Sequence, residues 1–428
     1  SAQCVYADDP GNPVIGSVLT GGGGAAVAGL TLNAGDDVTC TFVNNAPAQV
    51  TVTKVVNGAD ATFDFLSDLP APFDNFVLTT SGGSTDTGPI AVPVANSVAG
   101  RPIGIAEVAE PGYNLTNITC SGIDETVNNN AVTFILQPGS VVNCTFTNVE
   151  VGQISVVKNT LGGDGTFGFV TDIPNATSPF TLTTTDNTAS ASFATPLPGS
   201  YFISEAPPNG WDLTDISCSG ATLTTFRYEG SGGVSDTDAF EPGDETVIIN
   251  LAAGEDISCA FENTQRGVIE IAKVTNPAGN QSFGFTSDIP NEAAFNVVAG
   301  NTTPFADLVP GTYTVTEDDP TVLMPDAFDL ANLVCDDSVT SGGTDSTVDI
   351  PNREATINLD PGETVTCTFT NDQRANLTIQ KAITVDFADT TAPDNSFDFT
   401  SATLPNPSFS LAPTLAAAPD SADFLNLV

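Results

Sequence analysis

Apolar and polar residues alternate along most of the chain in short runs that end at Gly, Pro, Asn or Asp. Alternation of period two predicts half-buried β-strands, and no stretch carries a convincing helical period. Four segments repeat one design: LTLNAGDDVTCTFVN (30–44), FILQPGSVVNCTFTN (134–148), INLAAGEDISCAFEN (249–263) and INLDPGETVTCTFTN (357–371). Each reads as a strand, a glycine turn and a second strand, a β-hairpin. Ten residues after each final Asn stands a Lys, in VTVTKVV, ISVVKNT, IEIAKVT and LTIQKAI. TFDFLSDLP and its three counterparts follow, and later come a glutamate strand and a cysteine strand, as in YFISEAPPNGWDLTDISCSG. Successive lysines lie 104, 115 and 108 residues apart, a domain-sized period and not that of a solenoid.

Short alternating strands with 30 Pro and 38 Gly predict an all-β chain, a string of antiparallel β-sandwiches. Complete repeats are expected at 46–151, 152–266 and 267–374. Residues 1–45 carry the closing part of a repeat and 375–428 the opening part. Joining the tail of one chain to the head of the next would still lack the equivalent of Pro310 to Ala331, with the glutamate strand. The expectation is therefore a slice of a longer tandem array, ahead of a chain that shares a half-domain with its neighbour.

Charge narrows the function. The 428 residues hold 52 Asp plus Glu against 9 Lys plus Arg, a formal net charge of −43, with no His. Nucleic acid and anionic membranes require clustered cations, so both are poor partners. Without His, triad hydrolases and His-ligated metalloenzymes are excluded, and no cofactor or metal is expected. No apolar run approaches the roughly 18 residues of a spanning helix, so no membrane insertion is expected in this segment.

All eight cysteines fall at two positions of the repeat, which pairs Cys4 with Cys40, Cys120 with Cys144, Cys218 with Cys259 and Cys335 with Cys367. With no C-x-x-C and no His, zinc is implausible. One disulfide per domain implies an oxidising compartment, so the chain is expected outside the cell or at its surface. Buried free thiols are the alternative.

The chain has four lysines, and all occupy one position of the opening strand: Lys54, Lys158, Lys273 and Lys381. Side chains alternate between the faces of a strand. Lys54 therefore shares the inward face with Val50, Val52 and Val56. The same parity turns Glu107, Glu205 and Glu317 inward, and with them Asn148, Asn263 and Asn371 beside the closing cysteine and phenylalanine. Burying an ammonium and a carboxylate costs several kcal/mol per ion. Burial lowers a Lys pKa and raises a Glu pKa, driving the proton from amine to carboxylate. A neutral amine could then attack the Asn amide carbonyl while the protonated Glu polarises it and carries protons to departing ammonia. The plainer reading is a buried ion pair hydrogen-bonded to Asn.

With an inward Lys on the first strand, a Tyr-x-Val-x-Glu strand such as YTVTE, a Pro and a Gly beyond it in EPGYN and EAPPNG, and a closing Thr-x-Phe-x-Asn strand, the chain resembles the Cna B-type, SpaA-like prealbumin-fold domains of bacterial surface proteins and pili. The resemblance implies an Ig-like or prealbumin-like sandwich and a self-catalysed Lys to Asn isopeptide bond. Carried over, it joins Lys54 to Asn148 with Glu107, Lys158 to Asn263 with Glu205, and Lys273 to Asn371 with Glu317. Asn44 and Lys381 lack partners in this chain, the disulfide lies outside the family's core motif, and no sorting signal falls within these residues.

A structural fibre or stalk is the leading expectation, formed by self-assembly or a longer tandem array and rod-like because the Asn to Lys spacing leaves no long hinge. An adhesin follows, with an unknown surface or matrix ligand on variable stretches such as Ala221 to Ala239. An enzyme acting on an external substrate comes last, because the convergent polar cluster lies inside the core. Asp68, Asp172 and Asp288 recur in an S/T-D-φ-P turn and read as turn caps ahead of calcium ligands. Sequons such as Asn114-Leu-Thr and Asn301-Thr-Thr are compatible with glycosylation.

Overall fold

The computed structural model describes every residue except 1, 7–8, 14–16, 22–23, 29–31, 33, 43–45, 96–98, 195, 231–234, 238, 323–326, 338–343, 383–395, 413–419 and 428. Among the described residues it is built from strands, with a short 3-10 turn at Pro320–Val322. Asn44 lies outside the described residues, as does part of the Ala221 to Ala239 stretch.

Each complete repeat folds the same way. In the first, one sheet orders the strands Ile90–Val92, Ala48–Asn57, Val141–Glu150 and Tyr113–Ser121. The facing sheet orders Glu125–Asn128, Ala131–Leu136, Arg101–Glu107, Thr62–Ser67 and Asn75–Thr79. The opening strand, Ala48–Asn57, alternates buried and partly exposed residues along its length, which is the face selection that the period-two pattern predicts. Between the sheets lies one apolar core per repeat, with Phe63, Phe65, Phe146, Ile103, Ile105 and Val132 among the buried residues of the first. The second and third repeats have cores of their own.

One ladder in each complete repeat is parallel, against the antiparallel rule of the others. The opening strand lies beside the closing strand in the pairs Ala48–Asn57 with Val141–Glu150, Gln153–Leu161 with Asp256–Gln265, and Gly267–Asn276 with Thr364–Gln373. Parallel neighbours need a long crossover, and here the whole domain supplies it. The chain enters at the start of the opening strand and leaves at the end of its neighbour. Val151 and Gly152 alone separate the first closing strand from the next opening strand, and single arginines, Arg266 and Arg374, do so at the next two junctions. Both arginines fold back on their own repeat as two-pronged ion pairs, Arg266 to Asp212 and Arg374 to Asp329.

The terminal segments form smaller ladders. Ala2–Tyr6 pairs with Val38–Phe42, and Ala375–Lys381 pairs with Asp420–Leu427.

Candidate functional site

Lys54, Lys158 and Lys273 stand in the parallel ladder directly beside Phe146, Phe261 and Phe369 of the closing strand, two residues before Asn148, Asn263 and Asn371. Equal parity on neighbouring strands turns all of these side chains to one face. Glu107, Glu205 and Glu317 reach the same point from the facing sheet. All nine side chains are buried, none more than 2% exposed. The structure thus brings together the three residue types that parity placed inward, in each complete repeat.

The contacts differ in detail. In the first repeat Lys54 Nζ lies 3.2 Å from Glu107 Oε2, and Asn148 Nδ2 donates to Glu107 Oε1 at 2.5 Å. The Oε2 contact is an ion pair without hydrogen-bond alignment, and Asn148 Oδ1 has no hydrogen-bond partner. In the second, Lys158 Nζ donates to Asn263 Oδ1 at 2.7 Å and stands 3.6 Å from Glu205 Oε2, while Asn263 Nδ2 donates to Glu205 Oε1 at 2.6 Å. In the third, Lys273 Nζ lies 3.2 Å from Glu317 Oε1, and Asn371 Nδ2 donates to the same oxygen at 2.9 Å. Every Nζ also donates to the carbonyl of the closing phenylalanine, at 3.3, 2.9 and 3.0 Å.

Burial sets the proton balance. Loss of water pushes the Lys54 pKa down, and pushes Lys158 and Lys273 down to about 8, against the pull of the neighbouring carboxylate. The same desolvation raises Glu205 and Glu317, again opposed by the lysine. In the second and third repeats both partners are thereby moved towards their neutral forms. Once the proton has moved from Nζ to the carboxylate, the cluster would hold the parts of an amide exchange: nucleophile, electrophile and proton carrier.

Two supports were not legible from the alternation. A phenylalanine ring lies under each ammonium: Phe63, Phe167 and Phe283 at 4.1, 4.5 and 4.4 Å from Nζ to the ring centre. The negative ring face favours a cation there, and the recurring F-x-F of TFDF, TFGF and SFGF is the signal that marks it. The recurring aspartates cap a backbone N–H as expected of turn residues, but across to the glutamate strand. Asp68 accepts from Gly104, Asp172 from Phe202 and Asp288 from Thr314, each three residues before the glutamate. Among the described residues, no group of acidic or cysteine side chains could hold a metal ion.

All four expected disulfides form, each between residues directly opposite on antiparallel neighbours. In the complete repeats they tie the closing strand to the cysteine strand at the sheet edge. Lys381 lies over Phe397 at 4.4 Å, and among the described residues it makes no ion pair.

Tandem β-sandwiches whose parallel opening and closing strands enclose a Lys, Glu and Asn define a class of prealbumin-like modules. The SpaA-type model described as a prealbumin-like fold domain matches residues 50–150, 154–265 and 269–373, and a second model of the same description matches 3–46. The chain belongs to this family of prealbumin-like fold domains. No curated protein matches it. Among solved structures it is similar to the Bacillus anthracis TIE protein, at 15% identity over 81% of this chain and 54% of that one, with a TM-score of 0.25. The chain therefore spans about half the length of that protein. The major pilin subunit BcpA of Bacillus cereus is similar at 11% identity over 76% and 99%, with a TM-score of 0.27. A Mobiluncus mulieris adhesin containing intramolecular disulfide, isopeptide and ester bond cross-links is similar at 11% over 50% and 86%, with a TM-score of 0.23. With scores this low, the family match is what carries the assignment.

Proposed function

We propose that the chain is a load-bearing stretch of an extracellular stalk or fibre, in which each complete repeat closes itself with a Lys to Asn isopeptide bond. The observation that carries this reading is the placement of Lys, Glu and Asn together, dry, on the two strands through which the chain enters and leaves each repeat. In the reaction, the lysine ammonium passes a proton to the carboxylate, and Nζ attacks Cγ of the Asn amide. The carboxylic acid then protonates Nδ2, the Cγ–Nδ2 bond breaks, and ammonia leaves. The proton lost from Nζ passes through the carboxylate to the departing ammonia, which goes off as ammonium, so the glutamate ends ionised as it began. An amine and a primary amide become a secondary amide and ammonia, with no oxidant or cofactor.

The product explains the topology. Tension arriving along the opening strand would cross at Lys158 to Asn263, 105 positions apart in sequence, and leave, bypassing the chain between them. One- and two-residue junctions then leave little chain to extend, since a residue spans at most about 3.6 Å. Four disulfides support export to an oxidising compartment. Heavy negative charge would keep neighbouring copies soluble and apart. The function is structural, and the chemistry is spent once, within the chain. Intact mass tests it: each complete repeat should lack one ammonia, and an undiminished mass would leave a buried ion pair in place of the bond.

A further inference from the structure

A β-bulge interrupts the cysteine strand at one place in every complete repeat, directly opposite the reactive asparagine. Leu115 pairs with Asn148 and Asn117 with Thr147, leaving Thr116 as the extra residue. The second repeat pairs Leu213 with Asn263 and Asp215 with Glu262, around Thr214. The third pairs Leu330 with Asn371 and Asn332 with Thr370, around Ala331. A bulge adds one residue to one strand and so reverses which side chains face in beyond it. That reversal is visible in the core. Tyr113 and Leu115 pack inward on one side of it, and Ile118 and Cys120 on the other. Trp211, Leu213, Ile216 and Cys218 repeat the pattern, as do Phe328, Leu330, Leu333 and Cys335.

Without the extra residue, the alternation that buries Ile118 would turn Thr116 and Asn114 inward and Leu115 out. In the first two repeats the asparagine amide would then lie beside a hydroxyl able to hydrogen-bond it and to admit water. With the bulge, its cross-strand neighbour is leucine in all three repeats. The extra residue itself reaches the backbone next to the site: Thr116 Oγ1 donates to the Thr147 carbonyl at 3.1 Å, and Thr214 Oγ1 to the Glu262 carbonyl at 3.1 Å, each the residue before the asparagine. Ala331 has no hydroxyl to do so.

We propose that the bulge is a positioning device for the crosslinking reaction, with Thr116 and Thr214 as positioning residues that fix the strand carrying the asparagine, and with Leu115, Leu213 and Leu330 keeping its amide free of competing partners. This rests on the isopeptide reading above. It makes the third repeat the one that lacks the hydroxyl anchor.

The test follows the crosslinked fraction of each repeat in the full chain, made by a reconstituted translation system under oxidising glutathione, stopped, and sampled over time by peptide mass. Thr214→Val keeps the branched shape and removes the hydroxyl, which bonds both the Glu262 carbonyl and Thr264 Oγ1 on either side of the asparagine, and should slow the second repeat at least about five-fold. Thr214→Ser should restore the rate, and Ala331→Thr should raise the rate of the third repeat. Unchanged rates in Thr214→Val and Ala331→Thr, with all repeats crosslinking, would overturn the positioning role alone. A slow Thr214→Val that serine does not rescue would also overturn it, because shape and not the hydroxyl would be responsible. If no repeat ever loses ammonia, the isopeptide reading itself fails and this proposal falls with it.

Discussion

Lys273 and Lys381 open two successive repeats of one design and lie at the same distance, 4.4 Å, from equivalent phenylalanine rings. Lys273 is buried beside Glu317 and the closing strand, and its pKa is pushed down to about 8. Lys381 is half-buried, stands opposite Asp420 on the paired strand, and makes no ion pair among the described residues. Strand and ring are common to both, so neither of them separates the two lysines. The difference is enclosure: the closing strand and the glutamate strand remove water from the ammonium, and the carboxylate gives its proton somewhere to go.

The largest expected effect comes from removing that proton carrier. Glu205→Ala should abolish ammonia loss in the second repeat and restore a free Lys158, while the first and third repeats stay crosslinked. A second repeat that still crosslinks at the normal rate would separate the glutamate from the chemistry. Amine-reactive labelling makes the same comparison on the native chain. Among the lysines Lys381 should be modified, and Lys54, Lys158 and Lys273 should stay unlabelled even after unfolding, because their nitrogens are amides. Labelling of all four in the unfolded chain would erase the contrast.

A smaller effect is expected from pH in the unreactive Asn263→Ala chain. The folded-state pKa of Lys158, about 8, lies below the ordinary 10.5 because burial disfavours its charge. The unfolded chain then holds more protons across that window, so stability of the second repeat should rise between about pH 8 and 10.5. Raised Glu205 acts in the opposite sense at lower pH, its contribution being lost as pH rises through the folded pKa. Denaturant midpoints across the range check this, and a flat or falling profile above pH 8 would mean that Lys158 keeps its charge when buried. Smallest should be the disulfide's effect in a crosslinked repeat. The Cys218 to Cys259 loop of 41 residues is worth about 3 to 4 kcal/mol in an open chain, but it lies within the segment the crosslink already closes. Cys218→Ser with Cys259→Ser should therefore cost less in the wild-type background than in Asn263→Ala.

Much of this site was legible because a strand has a period of exactly two residues per face only while its register is unbroken. Lys54, Glu107 and Asn148 sit on uninterrupted alternation, and parity was enough to turn them inward. Tyr113 and Leu115 sit across a phase slip from Ile118, and a reading by local alternation passes over such a slip as noise. The parallel ladder was not legible either, since pairing between residues some ninety positions apart leaves no local mark; only the shared position of Lys and Asn hinted at it. The ring under each ammonium and the aspartate cap on each glutamate strand needed the facing sheet to be placed before their roles could be seen.

The most direct test is the mass of the intact, disulfide-bonded chain followed by a tryptic map after unfolding and reduction. After allowing for the hydrogens of the disulfides and any glycans, the chain should lack three ammonia equivalents. Trypsin should then cut after Lys381 but not after Lys54, Lys158 or Lys273, whose peptides should appear joined to those of Asn148, Asn263 and Asn371. A full sequence mass with normal cleavage after all four lysines would contradict the crosslink and leave three buried ion pairs.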